Sequence, residues 1–328
     1  SRGCSWTSSS RRTAAAAAAD HPRPRRRRRA AARASGFDAL RRTRSCHGYC
    51  GTHCHLPLYV FCGRHLRAAR LRRADIDASA GAVDEVQRIV RQIRARWPRV
   101  RVLLRADSGF AREAVMAWCE VNRLDFLFGL ARTPRLVDEI ADDLALAEAE
   151  ATRTGKPPRR FRDFCWSTLD SRSRQHRVVA KAEWTNGKAN PVDSLRGSTV
   201  VTSLKPAEAG ARTLYERPYC ARGDMETRIK ECQLDLFAGR ASAATVHGNQ
   251  LRPWFASMAY VLLCALRRLG LAHAQFAEAT CSTLRLALLR IGAQVRRSVR
   301  CLAIAMASGH PFEDEFAPAH ARITAAAP

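Results

Sequence analysis

Between Leu56 and Thr152 short apolar runs alternate with segments of helical period, and that alternation restricts the chain to an α/β layer. Leu56 to Cys62 is almost wholly apolar, the pattern of a buried strand. Leu66 to Ile76, with its recurring arginines, is expected to be a partner strand. Val83, Val86, Ile89, Val90, Ile93 and Trp97 recur at helical spacing until Pro98 stops them. Val100 to Leu104 reads as a short strand leading to Asp107, Ala111 to Asn122 as a helix, and Phe126 to Leu130 as a further strand. Leu136 to Thr152 has the pattern of an acidic amphipathic helix.

The texture changes after Gly155. Pro157-Pro158, Asn186-Gly187 and Asn190-Pro191 punctuate β-rich runs at Arg177 to Ala182 and Thr199 to Ser203. Residues 47–154 are therefore read as the first part of an α/β core, and residues 155–212 as a β-rich insertion. Residues 213–328 are read as a helical region with breaks near Gly270 and Gly292. Pro253, just before Trp254, suits the start of a helix and would interrupt one already running.

Residues 1–46 obey a different rule. A serine cluster, Ala14 to Ala19, Pro22-Arg-Pro-Arg25 and Arg25 to Arg29 show no apolar period, so no core is expected from them. Two readings fit: a disordered basic arm that grips phosphates, or a frame-shifted translation. In the second, codons for a Leu-Asp-rich strand, read from the third base, give Arg23-Pro24-Arg25-Arg26.

The formal net charge of +26 comes mainly from arginine, whose fork pairs bidentately with phosphate, so nucleic acid is the expected partner. The twelve cysteines are scattered, and those in apolar runs (Cys62, Cys119, Cys264) read as small buried hydrophobes of a reducing, cytoplasmic setting. Trp254 to Leu266 is too short before Arg267-Arg268 to span a bilayer. Cys46, His47, Cys50, His53, Cys54, His55 and Cys62 form a dense window, but their spacings depart from paired zinc knuckles and read as loop and core residues.

The chemistry concentrates elsewhere. Tyr219-Cys-Ala-Arg222-Gly-Asp-Met-Glu226-Thr-Arg-Ile-Lys230 places an aromatic, a cation and a carboxylate at offsets of three and four residues. On one regular helix Arg222, Glu226, Ile229, Lys230 and Gln233 share a face. Asp107, in Arg105-Ala-Asp-Ser-Gly-Phe110, follows a buried strand. Spacing alone leaves a bland account of each acid: Asp107 as a helix cap, Glu226 as one half of an i,i+4 ion pair. Two carboxylates on separate elements are also the hard oxygen donors that Mg²⁺ takes.

Tyr219, Arg222 and Glu226 match the signature Tyr-x2-Arg-x3-Glu-x6-Lys of DDE transposases from bacterial insertion sequences. Leu103-Leu-Arg-Ala-Asp-Ser-Gly-Phe-Ala-Arg112 and Arg222-Gly-Asp-Met-Glu-Thr-Arg-Ile-Lys-Glu231 resemble the thirteen-eighty family of those elements, as do Leu56-Pro-Leu-Tyr-Val-Phe-Cys-Gly63, Asn249-Gln-Leu and Trp254-Phe. The resemblance implies a ribonuclease H-like α/β core, a β-rich insertion and a helical C-terminal region. It implies DNA cleavage and strand transfer with Mg²⁺ (or Mn²⁺) in a two-metal mechanism, and paired DNA ends that bring in a homo-oligomer.

Within that pattern Asp107 and Glu226 would be the second and third catalytic acids and metal ligands. Tyr219 and Arg222 would contact DNA, as would Lys230, which stands one turn from Glu226. The signature's closing lysine falls at Gln233, a departure from the pattern. No strand ending in aspartate precedes His47, so the first acid is missing and the chain is expected to be a truncated or frame-shifted, catalytically impaired copy. A basic DNA-binding remnant without catalysis is the alternative.

Overall fold

The computed structural model describes residues 4–10, 45–47, 52–167, 175–184, 195–240, 242–243 and 245–326, with strand backbone alone at 4–10, 45–47, 52–54 and 195–197. The polyalanine and polyarginine runs, Cys50 and the Asn186-Gly187 and Asn190-Pro191 turns lie outside the described residues. In chain order the strands are β1 (Cys4–Ser10), β2 (Ser45–His47), β3 (Thr52–Cys54), β4 (Leu58–Cys62), β5 (His65–Arg70), β6 (Val102–Ala106), β7 (Asp125–Leu130), β8 (Arg159–Trp166), β9 (His176–Trp184), β10 (Leu195–Thr202), β11 (Ala293–Arg297) and β12 (Leu302–Met306). The helices are α1 (Ala82–Arg96), α2 (Glu113–Val121), α3 (Pro134–Glu139), α4 (Ala141–Thr154), α5 (Ala211–Leu214), α6 (Gly223–Lys230), α7 (Val246–Ala265), α8 (Cys281–Leu284) and α9 (Glu313–Ala325). These elements fall into two compact units, one from the described residues of Ser1–Ala14, Arg44–Gly63 and Arg72–Glu226, the other from those of Arg64–Leu71 and Thr227–Pro328.

In the first unit the strands run in the order β4-β1-β6-β7-β10-β9-β8. β1 is antiparallel to β4 (Ser8 opposite Val60) and parallel to β6 (Ser8 opposite Ala106). β6 and β7 are parallel, and the remaining neighbours antiparallel. The sheet is thus mixed, with helices on it, as the α/β pattern implied. Within the segment read as unable to contribute to a core, Cys4–Ser10 is a strand between two others, and its backbone pairs on both sides.

The expected strands β4, β6 and β7 are buried because their side chains are apolar in succession: Leu58, Tyr59, Val60 and Phe61 are each at most 1% exposed. The partner strand read over Leu66 to Ile76 ends at Arg70. Beyond it Arg72 is buried, and its guanidinium donates to the carbonyls of Leu56, Ala78 and Ala80, which commits that stretch to a turn. The acidic helix is broken at Ile140, whose side chain enters the core beside Leu144, Ala180 and Ala182. The β-rich insertion extends the same sheet, since β10 lies against β7 and the Thr202 hydroxyl donates to the Phe126 carbonyl at 2.7 Å.

In the second unit α7 starts at Val246, with the Thr245 hydroxyl accepting from the Gly248 amide at 3.0 Å, and runs straight through Pro253. Pro253 therefore lies buried inside the helix and does not open it. β5 is tied to α7 by Gln250, which bonds the Leu71 amide and the Ala69 carbonyl. The region expected to be helical throughout also holds a β-hairpin, β11–β12, directly after the predicted break at Gly292. Leu302, Ile304 and Met306 recur at period two in β12, a strand signal masked by the neighbouring helical text. Among the described residues no helix is long and apolar enough to cross a membrane.

Candidate active site

β6 alternates between two faces, and that alternation aims Asp107. Leu104 and Ala106 line a small apolar cavity with Val86 of α1, Val115 and Trp118 of α2, and Phe110. Leu103 packs on the opposite side with Leu214, Tyr215 and Tyr219, and Arg105 donates to the Pro218 carbonyl. Asp107 continues in extended conformation (φ −77°, ψ −176°), so it follows Leu103 and Arg105 toward the helical run that begins at α5. Its Oδ1 accepts from the Gly109 amide at 3.0 Å, which makes it the cap of a single 3₁₀ turn. The bland reading of Asp107 as a cap therefore holds, and the same geometry leaves the carboxylate on the face of Tyr219.

The helical run opposite is not one regular helix. α5 passes into a π turn at Tyr215–Tyr219, a 3₁₀ turn at Cys220–Arg222, α6, and a second π turn at Glu231–Asp235. Pro218 lacks an amide proton, which helps explain the irregular winding there. The second π turn shifts the phase after Lys230. Gln233 is consequently buried with Cys232 and does not share an exposed face with Glu226 and Lys230; Ile229 is buried too. Met225, Ile229 and Cys232 anchor the run, while Arg222 and Glu226 are half-buried and Lys230 is exposed.

Contacts lead from one candidate acid toward the other. The Tyr219 hydroxyl reaches Gly129 of β7: a Cβ there would stand 2.7 Å from that oxygen, 3.2 Å from the Ser108 nitrogen and 3.5 Å from the Asp107 carbonyl carbon. Burial pushes the Tyr219 phenol above its usual range; Arg222 partly opposes this, and Tyr215 and the Asp107 carboxylate add to it. The Arg222 guanidinium lies 5.5 Å over the Tyr219 ring and 3.4 Å from Glu226 Oε1. Asp107, Tyr219, Arg222 and Glu226 thus share one neighbourhood in the first unit.

Two residues of that neighbourhood were not singled out from sequence, Arg105 and Gly129. A signal existed for each: a lone charge inside an apolar strand needs a partner, and glycine inside a strand marks a close backbone approach. The fourth element of the neighbourhood is β1. Its register sets Ser8 beside Ala106, so Ser9 stands level with Asp107, and Cys4–Ser10 contains no carboxylate. Among the described residues no three Asp, Glu, His or Cys side chains converge as a metal site. Asp107 and Glu226 supply hard oxygen donors suited to Mg²⁺, but two carboxylates do not complete a two-ion centre. Of the Cys/His window only His55 and Cys62 have described side chains.

The model of a family described as the transposase DDE domain, group 1, matches residues 40–328. No curated protein matches the chain.

Proposed function

The chain belongs to the transposase DDE domain family, group 1, and from that premise we propose that it derives from a bacterial insertion-sequence transposase of the thirteen-eighty type, with Asp107 and Glu226 as its second and third acids. Transposase function, and with it DNA as substrate, follows from the family. The reading of the acids is carried by proximity: the Tyr219 hydroxyl and the Asp107 backbone meet at Gly129, and Arg222 lies over the Tyr219 ring and beside Glu226. Antiparallel β4 beside β1, with β6 and β7 parallel to it, supports a ribonuclease H-like core.

DDE domains use divalent metal ions, and Mg²⁺ or Mn²⁺ would supply Lewis acidity at the phosphodiester. As translated, the residues present among those described do not fit that centre. The resemblance gives the first acid to the strand beside β6, and β1, which pairs there, carries Ser8 and Ser9 and no carboxylate, which supports this reading. This copy is therefore catalytically impaired. Tyr219, Arg222 and Lys230 are assigned to DNA contact, homo-oligomerisation to the pairing of two ends, and the setting to the bacterial cytoplasm. A basic remnant that binds DNA without cutting it is the second reading, favoured by the incomplete acid set.

The test compares the chain with a version whose first 46 codons are restored to a frame encoding a Leu-Asp-rich strand. Each is incubated with supercoiled DNA in Mg²⁺, in Mn²⁺ and in EDTA. The expected result is DNA binding by both and metal-dependent nicking only by the restored chain, abolished by Asp107→Asn or Glu226→Gln. Robust strand transfer by the unaltered chain would overturn the impairment, and nicking that survives both substitutions would overturn the assignment of the acids. If no frame encodes such a strand, the remnant reading stands.

A further inference from the structure

The β11–β12 hairpin is a two-stranded ribbon whose ten strand residues are all exposed. Its ladder is extended at the base by the Ala307 amide bonding the Gly292 carbonyl at 2.9 Å, and its tip is closed by the Ser298 amide on the Cys301 carbonyl at 2.8 Å. The register puts Gln294, Arg296, Ala303 and Ala305 on one face, flat apart from two long polar side chains. The other face carries Val295, Arg297, Leu302, Ile304 and Met306. Val299, at the tip between Arg297 and Arg300, is fully exposed.

Charge decides what such a ribbon meets. No Asp or Glu occurs from Ala279 to Phe312, whereas Arg285, Arg290, Arg296, Arg297 and Arg300 do. Among the described residues Arg290, Arg296, Arg297 and Arg300 form no ion pair, so their full charge faces solvent. A second copy of the chain would bring the same net charge of +26 toward these arginines. A polyanion meets no such repulsion. A two-stranded ribbon fits a duplex groove, and apolar wedges flanked by arginine are the device by which proteins enter a base step from the minor groove.

We propose that the β11–β12 ribbon is a DNA-binding arm, its arginines on the phosphates and Val299 at a base step. This rests on the reading that the chain acts on DNA, and it assigns a duplex contact outside the Asp107–Glu226 neighbourhood. The arm acts without metal.

Binding of the full chain to a fluorescent duplex of about 30 base pairs is followed by anisotropy in EDTA as salt is raised, so the result is independent of cleavage. Substituting Arg296, Arg297 and Arg300 together by alanine is expected to lower the slope of log affinity against log salt by about 2–3. A charge-matched triple on and just beyond α1, Arg91→Ala, Arg96→Ala and Arg99→Ala, is expected to change it by less than about 1. Val299→Ser should keep the slope and reduce duplex bending read by end-to-end energy transfer. An unchanged slope in the ribbon triple, or equal loss in both triples, overturns the arm. So does a ribbon triple whose slope is unchanged while its sedimentation shows loss of a dimer, which would make the ribbon a contact between copies. If the unaltered chain binds no duplex at all, the reading of the chain as DNA-acting fails first.

Discussion

Gly129 and Tyr219 form a lock that depends on a single missing methyl group. Because a Cβ at 129 would stand 2.7 Å from the Tyr219 oxygen, Gly129→Ala is expected to cost about 1–3 kcal/mol by overpacking. Tyr219→Phe removes the clashing atom, so the double variant should recover at least about 0.5 kcal/mol of that loss in a denaturant-melt cycle; strict additivity would refute the contact. The two tyrosines of this region also predict a pH effect. Burial holds Tyr215 and Tyr219 above their ordinary value of 10.0. The folded chain therefore keeps both phenols neutral after the unfolded chain has begun to release its protons. Their contribution to stability is complete below pH 10 and is lost as pH rises toward the folded values. A chain carrying Tyr215→Phe and Tyr219→Phe should lose less stability above pH 10 than the unaltered one, measured by urea melts.

At the scale of elements, the second unit is fastened by a buried ion pair. Glu231, in the π turn after α6, accepts from Arg267 at 2.8 Å and from the Cys281 amide at 2.9 Å, which joins the turn that follows α7 to the start of α8. Glu231→Ala would strand a guanidinium whose side chain is 11% exposed, at a cost of about 3–5 kcal/mol in chemical denaturation. A loss below about 1 kcal/mol would show that water replaces the carboxylate. Nothing in Lys230-Glu-Cys-Gln233 advertised this pair, because its partners lie 36 and 50 residues away. The strands around Asp107 were legible for the opposite reason: continuous apolar runs need no partner to be recognised. The π turns were not legible. A regular period of 3.6 sets Gln233 on the face of Glu226, and a single inserted residue per turn is enough to bury it. The β11–β12 hairpin escaped for want of a turn residue, since Ser298-Val-Arg-Cys301 carries neither glycine nor asparagine.

At the scale of the molecule, the neighbourhood of Asp107 and Glu226 was legible through family resemblance, while its completion by β1 was not. Serine-rich text has no strand signal of its own, and only pairing with β4 and β6 gives Cys4–Ser10 its place. The sequence pattern leads one to expect no core from residues 1–46; the sheet order sets Cys4–Ser10 of that segment between β4 and β6. Removing residues 1–10 should leave β4 and β6 without their common neighbour and give a chain that scatters light and loses strand signal in circular dichroism. A truncated chain that stays clear and folded would show that the strand is replaceable. The same order sets a clock. β1 leaves the ribosome before β4 and β6, and Val102, the partner of Cys4, is made about a hundred codons after it. At about 5–20 residues per second β1 waits roughly 5–20 seconds, beside β4 once that strand is made, before its second edge can close. For that interval a nascent chain carries an open strand edge, and a holdase at the tunnel exit would meet it there.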